Sequence, residues 1–100
     1  MSRPLYSAMK HGVIGLTKSA AMQYGPSNIR VNALCPGWID TEMTAGWVYN
    51  PDISSTLHSR QALKRHGEGD EISGMVLYLC SDLASFTTGA SFIVDGGLLA

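Results

Sequence analysis

The run from Ile29 to Cys35 most constrains the fold, because it is mostly apolar, rich in β-branched side chains and preceded by a helical pattern. Such a run is typical of a strand in a parallel sheet that is covered on both faces. The preceding helix is predicted to stop at Gly25-Pro26, since glycine suits a C-terminal turn and proline cannot continue a helix. A helix joined by a short turn to such a strand is half of a β-α-β unit. The sequence therefore predicts an α/β fold with a parallel sheet.

The remaining elements follow from apolar spacing and turn residues. Helical periodicity predicts a first helix from Pro4 to about Tyr24 and a second that opens at residues 67–69 and ends near residues 81–82. The run 90–94 predicts a last strand, closed by residues 95–97. Residues 42–66 show little periodicity, and a connection of this length is usually a functional lid or binding loop. Plain surface packing, with short helices, is the alternative for this segment.

These elements do not make a convincing independent domain. Two parallel strands want cover on both faces and neighbours on both edges. One face of the first helix carries only small residues, which predicts close packing against another backbone: Ala8, Gly12, Gly15 and Ser19. The sequence has neither a glycine-rich phosphate loop nor an acidic residue placed to bind a ribose. We expect residues 1–100 to be the C-terminal part of one larger Rossmann-like domain, with a small obligate oligomer as the alternative.

Composition excludes several kinds of partner. A net charge of −1 and a pI near 6.2 give no electrostatic footprint for nucleic acid or an anionic membrane. No apolar run approaches the ~18 residues that span a bilayer. The first residues lack the apolar core of a signal peptide, and Cys35 and Cys80 lie in apolar runs, which favours buried free thiols over a disulfide. A cytoplasmic protein is therefore expected.

Tyr6 and Lys10 are the first candidates for chemistry. Residues four apart lie on the same helical face, so the phenol and the ammonium can face one site. A fixed positive charge favours phenolate over phenol, and a helix N-terminus acts in the same direction. We expect these effects to lower the pKa of Tyr6, which would suit proton exchange between a carbonyl and its alcohol. The same spacing also occurs on ordinary amphipathic helices.

The segment after the first strand is the second candidate. In open α/β sheets ligands bind just beyond the carboxyl ends of the strands, where residues 36–41 lie. Trp38 and Trp47 either shape a substrate pocket or simply pack. Asp40 and Glu42 are expected to cap a helix. The three histidines share no ligand spacing, so no metal site is predicted.

Four blocks in this order resemble the C-terminal part of the short-chain dehydrogenase/reductase family, and the resemblance runs from end to end. The blocks are Tyr6-Ser7-Ala8-Met9-Lys10 continuing to Thr17, Ile29-Arg30-Val31-Asn32 with Cys35-Pro36-Gly37-Trp38-Ile39 and Thr41, Ser81-Asp82-Leu83-Ala84-Ser85-Phe86, and Thr88-Gly89 with Val94-Asp95-Gly96-Gly97. The resemblance implies an NAD(P)-dependent oxidoreductase acting on a small carbonyl/alcohol pair, and an oxoacyl-reductase-like member is expected. It also implies a homo-oligomer, a dimer or tetramer.

The resemblance also assigns roles. Tyr6 would be the general acid/base, and Lys10 would hold the ribose hydroxyls of NAD or NADP and lower the pKa of Tyr6. The residues implied to line the nicotinamide are Pro36, Gly37, Ile39 and Thr41, with the Ile39 backbone and the Thr41 hydroxyl near the carboxamide. Residues 42–66 match the family's substrate lid, to which Trp38, Met43 and Trp47 would contribute.

Some family features are missing, namely the catalytic serine, the relay asparagine and the glycine-rich loop. The chain alone is therefore expected to be inactive. Two rival hypotheses remain: a non-catalytic truncated product that associates with full-length subunits, and an independently folded binding module.

Overall fold

A computed structural model describes residues 3–100, and it divides them into two compact units. The first unit contains residues up to 34 and residues 79–92. The second contains residues 35–78 and 93–100. The structure is α/β with a parallel sheet, as predicted. That all of it belongs to a single domain of a larger protein stays a prediction.

The first helix, α1, spans Arg3–Tyr24 and ends where the sequence predicts. Gly25–Ser27 form a 3-10 turn after it, and Asn28 adopts the left-handed conformation with φ 60°. Asn is among the few residues other than glycine that visit this region routinely. The Asn28 N–H donates to Gly25 O at 2.8 Å, which closes the turn and directs the chain out of the helix.

The two strands are β1, Ala33–Pro36, and β2, Ser91–Val94, which pair in one two-stranded sheet. Ala33 N–H donates to Ala90 O at 2.9 Å, and Gly37 N–H donates to Val94 O at 3.0 Å. The partner number rises with the donor number by the same amount, so the strands are parallel.

Both strands are shorter than predicted, because β1 begins at Ala33 instead of Ile29 and β2 at Ser91 instead of Ala90. The backbone just before β1 bonds to a loop, not to a strand. Thr88 Oγ1 accepts from Val31 N–H at 3.0 Å, and the Asn32 amide donates to Thr87 O at 2.9 Å while its oxygen accepts from Ala90 N–H. Bonds that involve a side chain, together with one from Gly89 N–H to Val31 O at 2.7 Å, thus replace the ladder here, which periodicity alone does not indicate.

The first unit has a small core of tightly packed residues: Thr17, Ala21, Ala33 and Ala84. Gly89, with φ 70°, lies against α1, and a Cβ built on it would come within 3.3 Å of the Ala21 Cβ. Cys35 is half-buried and Cys80 is exposed. Both are free thiols, as expected, but the expectation that both are buried was wrong for Cys80 and is met only in part by Cys35.

In the second unit, the predicted lid segment (residues 42–66) contains two short helices, α2, Ala45–Val48, and α3, Pro51–Ser59. Asn50 caps α3 by accepting a hydrogen bond from Asp52 N–H at 3.1 Å, and Pro51 takes the first helical position, where its missing N–H costs nothing. The last helix, α4, spans Gly69–Cys80, close to the prediction.

Large apolar side chains remain exposed on α1. Four of them, spaced three or four residues apart, are each more than half exposed: Leu5, Met9, Val13 and Leu16. A Cβ built at Gly12 or Gly15 would meet nothing within 4 Å among the described residues. This open surface is expected if these residues are part of a larger domain whose other elements cover α1. No helix within residues 3–100 has both the length and the apolar character needed to cross a membrane.

Candidate active site

Tyr6 and Lys10 lie side by side on the exposed surface of α1. Lys10 Nζ is 5.4 Å from the centroid of the Tyr6 ring, within the ~6 Å reach of a cation–π contact. The four-residue spacing produces this contact, since such residues share a helical face. The pair borders a shallow depression whose apolar wall is formed by Met9 and Val13. A phenol, an ammonium and an apolar surface are therefore presented together.

The chain leaves β1 through a close backbone contact. Pro36 is the last residue of the strand and is exposed. A Cβ at Gly37 would lie 2.7 Å from Asp95 Cα and 2.8 Å from Asp95 Cβ, so only glycine fits without a shift of backbone. Gly37 therefore fixes the direction in which the following segment runs.

Ile39 forms a parallel bridge with Gly67. The bridge consists of Asp40 N–H donating to Gly67 O at 2.9 Å and Gly67 N–H donating to Trp38 O at 2.8 Å. Because the N–H and C=O of one trans peptide group point in opposite directions, the Ile39 N–H and C=O point away from Gly67. A Cβ at Gly67 would lie 2.7 Å from Ile39 Cδ1, so a larger residue there would require the end of the Ile39 side chain to move.

Thr41 and Thr44 form a compact polar turn beside Ile39. Thr44 Oγ1 accepts from Thr41 N–H at 3.0 Å, lies 3.1 Å from Thr41 Oγ1 and donates to Ile39 O at 2.5 Å. Thr41 is exposed, while Thr44 is half-buried. The two residues expected to meet a nicotinamide carboxamide are thus joined by the hydroxyl of a third.

The aromatic candidates of the lid also meet. The rings of Trp38 and Trp47 are 5.9 Å apart at 85°, an edge-to-face arrangement. Trp38 Nε1 is buried and has no hydrogen-bond partner among residues 3–100. Met43, by contrast, is 86% exposed. Trp38 and Trp47 therefore pack against each other, whereas Met43 is open to solvent.

The sequence missed a polar cluster formed by Asp40, Tyr49, His66 and Glu68. The Tyr49 hydroxyl donates to Asp40 Oδ2, and His66 Nε2 lies 3.3 Å from Glu68 Oε1. One ligand atom from each of Asp40, His66 and Glu68 lies within 4.8 Å of the others. The Ile39–Gly67 bridge brings these residues together, and no sequence spacing signals it.

This cluster corrects one prediction and explains a pKa shift. Asp40 was expected to cap a helix, but its carboxylate instead accepts from Tyr49, and α2 has Thr44 at its N-cap without a side-chain capping bond. The hydrogen bond and the negative charge of Asp40 raise the pKa of Tyr49 above its ordinary value of 10.0. Tyr49 thus remains a hydrogen-bond donor throughout the neutral range.

The segment before α4 is held by a bidentate ion pair. Arg65 donates to both carboxylate oxygens of Glu71, at 2.7 and 2.9 Å, and Glu68 N–H donates to Glu71 at 2.8 Å. These bonds, with that of Arg65 first, lower the pKa of Glu71 from 4.5 to about 2. They fix the helix start and therefore the position of Gly67.

The predicted site residues form three groups. Tyr6 and Lys10 lie side by side in the first unit. In the second unit Ile39 lies near Thr41, and Trp38 packs against Trp47. Exposed hydroxyl and backbone groups after β1 fit a planar amide, and the ammonium of Lys10 fits ribose hydroxyls. Their roles stay predictions.

The parallel α/β arrangement is part of a Rossmann-type fold. Residues 1–99 match the family model described as "Enoyl-(Acyl carrier protein) reductase". The chain belongs to the short-chain dehydrogenase/reductase family, which confirms the resemblance seen in the sequence.

Individual relatives agree. The chain is 50% identical over 95 residues to 3-alpha-(or 20-beta)-hydroxysteroid dehydrogenase of Mycobacterium tuberculosis, covering 95% of this chain and 34% of that protein. It is 44% identical over 93 residues to 3-oxoacyl-(acyl-carrier-protein) reductase of Aquifex aeolicus, covering 93% of this chain and 37% of that protein. A solved structure of 4-hydroxyisoleucine dehydrogenase complexed with NADH matches with a TM-score of 0.90 and 45% identity, over 93% of this chain and 38% of that one. The chain therefore spans little more than a third of its relatives, and its fold is the corresponding part of theirs.

Proposed function

We propose that this chain is the C-terminal part of an NAD(P)-dependent oxidoreductase that interconverts a carbonyl and an alcohol. The observation that carries the proposal is the Lys10 ammonium 5.4 Å from the Tyr6 ring centroid, on an exposed helical face. The family and the NADH-bound relative support the class of reaction. The relatives differ in substrate, and a 3-oxoacyl thioester is the first substrate to test because of the similarity to the oxoacyl reductase.

Tyr6 acts as the general acid/base in this proposal, giving a proton to the carbonyl oxygen during reduction and taking it back during oxidation. Lys10 places a positive charge beside the reacting phenol and binds the ribose hydroxyls with its ammonium group. Pro36 and Gly37 line the nicotinamide, while Ile39 and Thr41 bind its carboxamide. The nicotinamide supplies or accepts the hydride when bound.

The substrate side of the site is formed by the lid in this proposal. Trp38, Met43 and Trp47 contribute its apolar surface, which suits a substrate with an apolar portion. The complete protein is proposed to be a cytoplasmic homo-oligomer. The 100-residue chain alone is proposed to be inactive, since the family's serine, asparagine and glycine-rich loop are not in it.

The test begins with the gene upstream of Met1. An in-frame glycine-rich loop and catalytic serine are expected there, and the product of that longer frame is called the complete protein below. Its oxidation of NAD(P)H with a 3-oxoacyl thioester and other small ketones is followed by nicotinamide absorbance. Tyr6→Phe should lower turnover by at least about 10²-fold. Tyr24→Phe, which removes an exposed phenol from the same helix, is the control.

Two results would contradict the proposal. One is a gene without the upstream elements, and the other is undiminished turnover in Tyr6→Phe. Retained NAD(P)H binding by Tyr6→Phe, measured by nucleotide fluorescence, would show that the lost turnover reflects the missing proton donor and not a damaged site.

The exposed apolar face of α1 supports a second candidate, a non-catalytic product that associates with full-length subunits. Side chains such as Leu16, 69% exposed, and Met22, 81% exposed, are available for such an association. Mixing the purified chain with a full-length relative and analysing the mixture by size exclusion tests it. Co-elution is expected, and separate elution would dispose of the candidate.

A further inference from the structure

Thr44 contacts both residues that the proposed function assigns to the nicotinamide carboxamide. Its hydroxyl oxygen is 2.5 Å from Ile39 O, 3.0 Å from Thr41 N and 3.1 Å from Thr41 Oγ1. Its backbone N–H is also 3.3 Å from Thr41 Oγ1. We propose that Thr44 is a positioning residue for the cofactor, acting through Ile39 and Thr41 without touching the nicotinamide. This inference rests on the proposed function.

The hydrogen-bond inventory of a hydroxyl gives the turn a direction. Thr44 Oγ1 has one proton and two lone pairs. The shortest contact, to the Ile39 carbonyl, takes the proton, and the Thr41 N–H takes one lone pair. The contact between the two hydroxyls then requires Thr41 to donate to Thr44. The Thr44 backbone N–H takes one lone pair of Thr41 Oγ1. The other lone pair is left to accept an N–H from outside the turn.

The same arrangement fixes the Ile39 peptide groups. The bridge to Gly67 uses the peptide groups on either side of Ile39, so the Ile39 N–H and C=O point to the opposite edge. Thr44 holds that carbonyl by one lone pair. A carboxamide offers one C=O and two N–H groups, which match an N–H donor at Ile39 and acceptors at Ile39 O and Thr41 Oγ1. Thr44 thus orients an acceptor pair suited to the amide before the amide arrives.

Position 44 was not among the site residues expected from the sequence. It lies three residues beyond Thr41, inside the lid segment, and a threonine before a short helix reads as an ordinary N-cap. The structure gives it a different role, because no side-chain capping bond is made to α2. Its hydroxyl faces the start of the turn instead of the helix that follows.

Thr44→Val tests the proposal in the complete protein, because valine keeps the shape and removes the hydroxyl. We expect the Kd of NAD(P)H, measured by nucleotide fluorescence, to rise about tenfold, or ~1.4 kcal/mol. The KM for the cofactor should rise with it, whereas kcat should change by less than about threefold. Thr44→Ser, which restores the hydroxyl, should bind NAD(P)H as the wild type does.

Ser73→Ala is the matched control, since the Ser73 hydroxyl also donates to a backbone carbonyl, that of Gly69 at 3.1 Å, on exposed α4. It should leave the Kd unchanged. An unchanged Kd in Thr44→Val would overturn the proposal, as would an equal loss in Thr44→Ser or a loss that merely follows a lowered melting temperature. These results are independent of Tyr6→Phe turnover, so failure here leaves the oxidoreductase proposal standing. If the complete protein binds no NAD(P)H, both proposals fail.

Discussion

Tyr49 donates a hydrogen bond from its hydroxyl to Asp40 Oδ2, joining the end of α2 to the segment that follows β1. This hydrogen bond holds Tyr49, inside the lid segment, to Asp40, which lies just before that segment begins. The contact is between exposed or half-exposed side chains, so its effect should be on local opening more than on global stability.

Tyr49→Phe should make the lid segment open more often. Trypsin should then cut faster at Arg60 and Lys64, which are exposed, while the overall melting temperature changes little. Because the raised pKa of Tyr49 means that the folded protein favours the protonated phenol, the difference from wild type should be present below pH 10 and fade above it. Tyr24→Phe should digest at the wild-type rate, and equal rates for both variants would show that the Asp40 contact holds nothing.

Glu71→Gln should make the melting temperature of the protein less sensitive to a fall in pH. The pKa of Glu71 is lowered from 4.5 to about 2, so its stabilising contribution is present above pH 4.5 and is lost as the pH falls towards about 2. Melting temperatures of wild type and variant should therefore differ at neutral pH and converge near pH 2. Glu42→Gln, which removes an exposed carboxylate from the same unit, is the control for charge. A gap that persists at pH 2 would show that the pair with Arg65 is not its source.

Gly37→Ala should destabilise the complete protein by about 1–3 kcal/mol, the usual range for overpacking. The added Cβ would lie 2.7 Å from Asp95 Cα, and backbone cannot yield as a flexible side chain can. Urea midpoints of the variant measure the effect. Gly69→Ala is the matched control, because a Cβ there meets no described residue within 4 Å. Similar midpoints for the two variants would contradict the close contact.

Lys10→Met should lower kcat/KM of the complete protein by roughly 10²–10⁴-fold and raise the KM for NAD(P)H. Methionine keeps the apolar stem but removes the charge beside Tyr6. Lys18→Met removes an exposed lysine of the same helix and should leave both constants unchanged. Steady-state kinetics of the two variants give the answer, and equal losses would point to net charge instead of the pair.

The sequence predicted the features that depend on residues close together along the chain. The end of α1 follows from Gly25-Pro26, and the Tyr6–Lys10 contact follows from helical spacing alone. What the sequence missed depends on pairing between distant segments. Asp40 reads as a helix cap, and only the bridge between Ile39 and Gly67 puts it near His66 and Glu68.

The strand limits failed for a related reason. The residues before β1 have the β-branched character of a strand, but a strand also needs a partner ladder. The Val31 N–H instead donates to the Thr88 hydroxyl, and the Asn32 side chain bonds to backbone groups of Thr87 and Ala90. β-strand propensity shows that a segment can be extended, but the position of the pairing strand decides where the hydrogen-bond ladder begins.

The bridge between Ile39 and Gly67 closes the intervening segment, which contains α2 and α3, into a loop whose two ends are held together by two backbone hydrogen bonds. Forming the bridge already includes the entropic cost of bringing these two ends together. Doubling the length of a flexible loop then costs only about 0.6 kcal/mol more. Insertions or deletions around α3 should therefore be tolerated, so this loop can vary in length while the residues at its base keep their register.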